Sequence, residues 1–131
     1  MKIPGNCIDF LTLEAFGIQA RQLLCSSNIS ELGNKFGYAL ACGRDPAEAI
    51  LPAVNASLRE LGALHIVEFA PHPEPVVKCF LPNEIGLVAL VECRVLTDND
   101  SLVLLELVVT GNEENRYISV EQISAVFKLR D

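Results

Sequence analysis

The stretch GLVALVECRVLTDNDSLVLLELVVTG, Gly86 to Gly111, limits the possible folds of this chain more than any other. Alternation of side chains along an extended backbone puts Leu87, Ala89, Val91, Cys93 and Val95 on one face. That face is wholly apolar. Val103, Leu105, Leu107 and Val109 form the matching set on a second run. Between the runs stands Thr97-Asp98-Asn99-Asp100-Ser101. Asn and Asp accept left-handed backbone and bond their own main chain, so this is a turn. The segment is a β-hairpin. Its other face carries Val88, Leu90, Glu92, Arg94 and Leu96, then Leu102, Leu104, Glu106 and Val108. A membrane helix needs about 20 uninterrupted apolar residues, and the polar turn and three charges break this run. Two largely apolar faces call for cover from helices of the chain or from another subunit.

The order of elements sets the class. Before Gly62 the apolar period is helical, and after it the period is two. That segregation predicts an α+β domain, N-terminal helices packed on a C-terminal antiparallel sheet of four to six strands. Residues 1–131 read as one domain, helical over 1–62 and β over 63–131. In the arm 1–10, Ile3, Ile8 and Phe10 are the anchors. A first helix follows, with Thr12 as its cap and Leu11 and Phe16 as a hydrophobic staple. Leu13, Phe16, Ala20, Leu23 and Leu24 are its stripe. Asn28 with Glu31 reads as a capping box for a second helix, with Ile29, Leu32, Phe36 and Leu40 on one side. Gly33 and Gly37 weaken it, and a strand over 35–42 is the competing reading. The third helix has Asp45 as cap, Pro46 at its first position and Gly62 as its left-handed stop. Pro52 should kink it.

Residues 36–56 resemble one tetratricopeptide unit at Phe36-Gly37, Leu40, Ala49 and Ala56. Gly33 and Ala53 stand where that family has large aromatics, and Pro52 falls inside the second helix. The resemblance implies a helical hairpin, since such arrays need about three repeats. Farther on, Leu64–Phe69 and Val76–Leu81 read as strands. The prolines of Ala70-Pro71-His72-Pro73-Glu74-Pro75 cannot join a central ladder, so this is an extended connection. Tyr117–Ser119 and Ile123–Leu129, with one turn at Val120-Glu121-Gln122, resemble the close of SH3-like and Sm-like barrels. That leaves a sheet curled into a small barrel as an alternative to an open one, and fold alone implies no function.

In the hairpin two tight registers are sensible. One sets Glu92 opposite Glu106, the other Arg94 opposite Glu106 and Val95 opposite Leu105. Opposed like charges are unfavourable, so electrostatics selects the second.

The net charge of −7 repels phosphate backbones, and no Lys/Arg-rich run appears, so nucleic acid is not an expected partner. Nor is a membrane. Five cysteines without a CxxC, and no signal peptide, point to reduced thiols in the cytoplasm. His72 with Glu74 and Cys79 forms a weak cluster that fits no metal motif, and no metal or cofactor is expected. Glu92, Arg94 and Glu106 are the candidate binding or interface residues. The bland alternative for them is a cross-strand ion pair on a solvated patch. The expected function is a non-enzymatic interaction, assembly or regulatory module that self-associates and binds another protein. The alternatives are a domain binding a small apolar ligand, and an acid–base enzyme using Glu92 and Glu106.

Overall fold

A computed structural model describes residues 1–6, 8–69 and 71–127. Cys7, Ala70 and residues 128–131, including the expected end of a strand at Leu129, lie outside the described residues. The class is α+β. The elements are β1 (Lys2–Ile3), α1 (Phe10–Cys25), α2 (Ile29–Phe36), α3 (Pro46–Leu61), β2 (Val76–Cys79), β3 (Leu87–Leu96), β4 (Leu102–Gly111) and β5 (Arg116–Val126). Among the described residues five strands form one antiparallel sheet in the order β1-β5-β4-β3-β2. The sheet is open, with β1 and β2 at its edges, rather than closed as a barrel.

The odd-numbered face of the hairpin is the floor of the core. Ala89, Val91, Cys93, Val95, Val103, Leu105, Leu107 and Val109 have no exposed surface, and neither do Ile118 and Val120 of β5. Leu13 and Ala20 of α1, Leu32 and Phe36 of α2, and Ile50 and Val54 of α3 close over them. Burying each such aliphatic side chain contributes about 1.5–3 kcal/mol. Gly17 lets α1 lie close to β3. A Cβ there would stand 2.7 Å from Val91 Cγ1 and 2.9 Å from Cys93 Sγ. Gly33, which costs helix propensity, does the same where α2 meets the start of α3, 2.8 Å from the Ala47 nitrogen.

The ends of α3 are as its sequence suggests. Asp45 accepts from the Ala47 amide, Pro46 opens the helix, and Gly62 closes it at φ 68°. Pro52 sits within this one continuous element. The starts of α1 and α2 differ from expectation. Asp9, not Thr12, caps α1, accepting from the Thr12 amide at 3.1 Å and its hydroxyl at 2.7 Å. A carboxylate three residues upstream is the better acceptor, so Thr12 becomes the donor. Leu11 then falls inside α1 and is 73% exposed, so it cannot staple Phe16. Asn28 makes no side-chain cap bond, and its amide turns back to Ser26 Oγ.

Residues 35–42 are neither all helix nor a strand. α2 stops at Phe36 because Gly37 takes φ 74°, Tyr38 bridges to Val120, and Ala39–Ala41 make a 3-10 turn. α2 and α3 pack against each other with residues 37–45 between them, so Gly37 and Leu40 of the resembled unit lie outside both helices. Residues 64–69 are not a strand. Only Ile66 bridges, to Thr97, while Asp98 Oδ1 accepts from the Leu64 and His65 amides. Leu64 and Phe69 are largely exposed, so the alternation there marks no buried face.

The final strand pair is one strand. Leu107 pairs with Val120 and Glu106 with Gln122, leaving Glu121 as the extra residue of a bulge. The bulge resets the alternation, so that Ile118, Val120 and Ile123 all face the helices without a turn.

The hairpin register is corrected too. Glu92 stands opposite Glu106, Val95 opposite Val103 and Leu96 opposite Leu102. Turn chemistry decides it. Thr97 and Ser101 close a three-residue loop through the Thr97 amide and the Ser101 carbonyl (3.0 Å). Asp100 supplies the left-handed residue at φ 64°, as such loops require. The Thr97 hydroxyl also bonds Asn99 Oδ1 (2.8 Å) and the Ser101 carbonyl (3.0 Å). These bonds outweigh a surface charge pair worth under about 1 kcal/mol.

Candidate functional site

Among the described residues α1, α2 and α3 all lie on the core side of the sheet, so the even-numbered face of the hairpin carries none of them. Across it runs one row of side chains, Val76 of β2, Glu92 of β3, Glu106 of β4 and Gln122 of β5, polar on the three inner strands. Alternation brings Glu92, Arg94 and Glu106 to this one face, as the sequence implied. Lys78 joins them, two residues from Val76 on the edge strand. Its Nζ lies 2.5 Å from Glu92 Oε1, and Arg94 Nη2 lies 3.8 Å from Glu92 Oε2. Glu92 is only 8% exposed, with Lys78 and Arg94 on its two carboxylate oxygens. Sequence reasoning overlooked Lys78. The signal available was the alternation of Val76–Leu81, which puts Lys78 on the Val76 face once that strand pairs with β3.

Glu106 is treated differently. Among the described residues no cation reaches it within 4.0 Å, and its Oε1 accepts only a 3.5 Å bond from Gln122 Nε2. Burial raises its carboxyl pKa, and the charges of Glu92 and Glu121 add to the rise, against a smaller opposing effect of Lys78. Beside that row β3 and β4 carry mostly aliphatic side chains, with Lys78 next to Leu90 on β2, Arg94 opposite Leu104, and Ser119 and Ser124 on β5. Leu90 and Val108 lie on one side, and Leu96, Leu102 and Leu104 on the other, all partly or mostly buried by their neighbours. The face therefore offers aliphatic surface, an internal ion pair and one carboxylate without a cation.

His72 is not a free loop side chain. Leu96 lies beyond the end of β2, where the prolines of the connection offer no ladder partners. His72 Nδ1 accepts from the Leu96 amide at 3.0 Å, and Val67 donates to the Leu96 carbonyl. An imidazole accepting at Nδ1 carries its proton on Nε2. Nε2 faces Cys25 Sγ at 3.5 Å, so its hydrogen points at the sulfur. In that tautomer His72 cannot take the thiol proton, and burial raises the Cys25 pKa. Burial and the nearby positive charge of Arg21 lower the His72 pKa, against a smaller opposing effect of the Val67 backbone. Its thiol neighbour is thus Cys25, while Cys79 lies in β2 opposite Ala89. Cys93, buried under α1, has its thiol pKa pushed up to about 12 by burial.

A half-open cavity of about 670 Å³ lies beside this pair, lined by Ile18, Arg21 and Cys25 of α1 and by Glu68, Phe69 and His72, among others. Among the described residues no three His, Cys, Asp or Glu side chains stand together as metal ligands. No helix among them is long and apolar enough to cross a membrane. Compared with known protein families, with characterised proteins and with solved structures, the chain matches none.

Proposed function

We propose that this chain is a non-enzymatic interaction module that self-associates through the helix-free face of its sheet. The observation that carries this reading is the composition of that face. A sheet side left to water is normally polar at alternate positions. On β3 and β4, Leu90, Leu96, Leu102, Leu104 and Val108 stand with only Glu92, Arg94 and Glu106, while β5 beside them adds Ser119, Gln122 and Ser124. Aliphatic rows around a few charges are the makeup of an interface core. A two-fold dimer is the commonest way to bury such a face, and a second protein partner is compatible with it. The net charge of −7 argues against nucleic acid as that partner, and four unpaired cysteines among the described residues fit a reducing cytoplasm.

The other readings have less behind them. The cavity beside Arg21 and Glu68 is charged at its rim and half open, unlike an aliphatic ligand pocket. Glu92 and Glu106 line a sheet surface, and Glu92 is already engaged by Lys78.

Light scattering over a concentration series tests the proposal. The wild-type chain is expected to dimerise by high micromolar concentration. Leu104→Arg, in the middle of the face, is expected to be monomeric while keeping its fold. Leu51→Arg, on the exposed side of α3, is expected to dimerise normally. A monomeric wild type, or a Leu104→Arg dimer as tight as wild type, overturns it.

A further inference from the structure

The even-numbered face of β3 and β4 reads the same from both ends. Along the strands its rows are Leu96 with Leu102, Arg94 with Leu104, Glu92 with Glu106, and Leu90 with Val108. The outer rows are aliphatic and the two inner rows hold the charges. A two-fold axis lying in the contact plane, across the strands and between the inner rows, exchanges the first row with the fourth and the second with the third. Leu96 and Leu102 of one copy then meet Leu90 and Val108 of the other. The inner rows of the two copies meet in the same way.

The charges fit that exchange. Within one copy Lys78 already holds Glu92 at 2.5 Å, while Arg94 makes only a 3.8 Å contact with the other oxygen. Glu106 has no cation within 4.0 Å among the described residues. Each face thus has one loosely held cation and one unmatched carboxylate, in adjacent rows on neighbouring strands. Across the two-fold each strand faces its own counterpart, so Arg94 arrives over Glu92 of the second copy, whose carboxylate Lys78 already holds. The unmatched Glu106 of that copy lies one strand spacing to the side, about 4.8 Å, within the reach of an arginine side chain. Aligned sheets also pack at roughly 30° to each other, which skews the rows diagonally. Three strands of about 34 Å, β3, β4 and β5, with the four-residue β2 beside them, give a flat footprint of roughly 550 Å², about two-thirds of the 800 Å² or so that each partner contributes to a standard interface.

Building on the self-association proposed above, we infer that the occupant of this face is a second copy in an isologous two-fold pair, with Arg94 of each copy bound to Glu106 of the other. The aliphatic rows provide the contact area, and the two reciprocal ion pairs fix its register. Desolvating Glu106 without a cation is unfavourable, so the second copy supplies what the monomer lacks.

A charge swap tests this. Arg94→Glu and Glu106→Arg are each made alone and then combined, and dimer dissociation constants are measured by sedimentation equilibrium. Each single change places like charges together at two sites of the dimer, and is expected to weaken it by about tenfold or more. The double variant restores opposite charges at both sites and is expected to return to within about threefold of wild type. If a charge-reversed chain fails to fold, the neutral series Arg94→Gln, Glu106→Gln and their combination serves instead. There the two losses must be strongly non-additive. Singles that leave the dimer unchanged, or a double variant no better than the singles, overturn the reciprocal pairing. In that event a dimer still abolished by Leu104→Arg leaves the face intact as the contact surface. A dimer insensitive to every one of these changes overturns both.

Discussion

Glu92 and Glu106 stand directly opposite each other across β3 and β4, two carboxylates in one cross-strand pair. Like charges in that position are destabilising. The fold accommodates them unequally. Lys78 reaches from the edge strand to neutralise Glu92, and Glu106 is left with its pKa raised by burial and by its acidic neighbours.

That inequality gives a pH dependence. A Glu whose pKa is higher in the folded state binds its proton more readily there than in the unfolded chain. Stability therefore falls as pH rises from the ordinary Glu range through the folded pKa. Glu106→Gln removes the effect. At concentrations that keep the chain monomeric, its denaturation midpoint is expected to exceed wild type at about pH 7.5 and to match it near pH 4. A variant equal to or less stable than wild type at neutral pH contradicts the assignment.

The close approach of α1 to the sheet is testable at Gly17. Alanine there gains up to about 1 kcal/mol of helix propensity. It also drives a methyl into Val91 and Cys93, in a core that cannot give way cheaply. Overpacking of this kind costs about 1–3 kcal/mol, so the net effect of Gly17→Ala is expected to be a loss. Chemical denaturation showing an unchanged or higher midpoint contradicts it.

His72 ties the end of β3 through its imidazole. His72→Leu leaves the Leu96 amide without its acceptor, at a cost of about 1–3 kcal/mol. Hydrogen exchange at Leu96 should accelerate, with β4 and β5 little changed. Acid should act in the same direction. The folded pKa lies below the ordinary His value, so this stability is complete above about pH 6.5 and is lost as pH falls below it. An imidazole nitrogen spectrum showing protonation on Nδ1 at neutral pH contradicts the tautomer.

The cap of α1 separates Asp9 from Thr12. Asp9→Ala is expected to cost about 1 kcal/mol, because it removes the acceptor for both the amide and the hydroxyl of Thr12. Thr12→Val removes only the hydroxyl bond and should cost less. A larger loss for Thr12→Val in equilibrium denaturation contradicts this cap.

Much of the fold was legible because it rests on local periodicity. The odd residues from Ala89 to Val109 had to share a buried face whatever covered them, and Asp45, Pro46 and Gly62 mark α3 unambiguously. The same rule brought Glu92, Arg94 and Glu106 to one surface. What was not legible depends on residues far apart in the chain or on fine turn chemistry. The hairpin register follows from bonds among Thr97, Asn99 and Ser101, which alternation does not reveal. Lys78 stabilises Glu92 only because β2 pairs with β3. The bulge at Glu121 turns two expected strands into one, and nothing local to Val120-Glu121-Gln122 distinguishes a bulge from a turn. His72 acquires its partners from α1 and β3, while its own neighbours in sequence are prolines.

Self-association through the helix-free face is tested most directly by mixing isotope-labelled and unlabelled chains at high micromolar concentration and recording nuclear Overhauser contacts between copies. Contacts are expected between methyl groups of Leu96 or Leu102 of one copy and Leu90 or Val108 of the other. Contacts confined to exposed helix residues such as Leu11 and Leu51, or none at all, would contradict it.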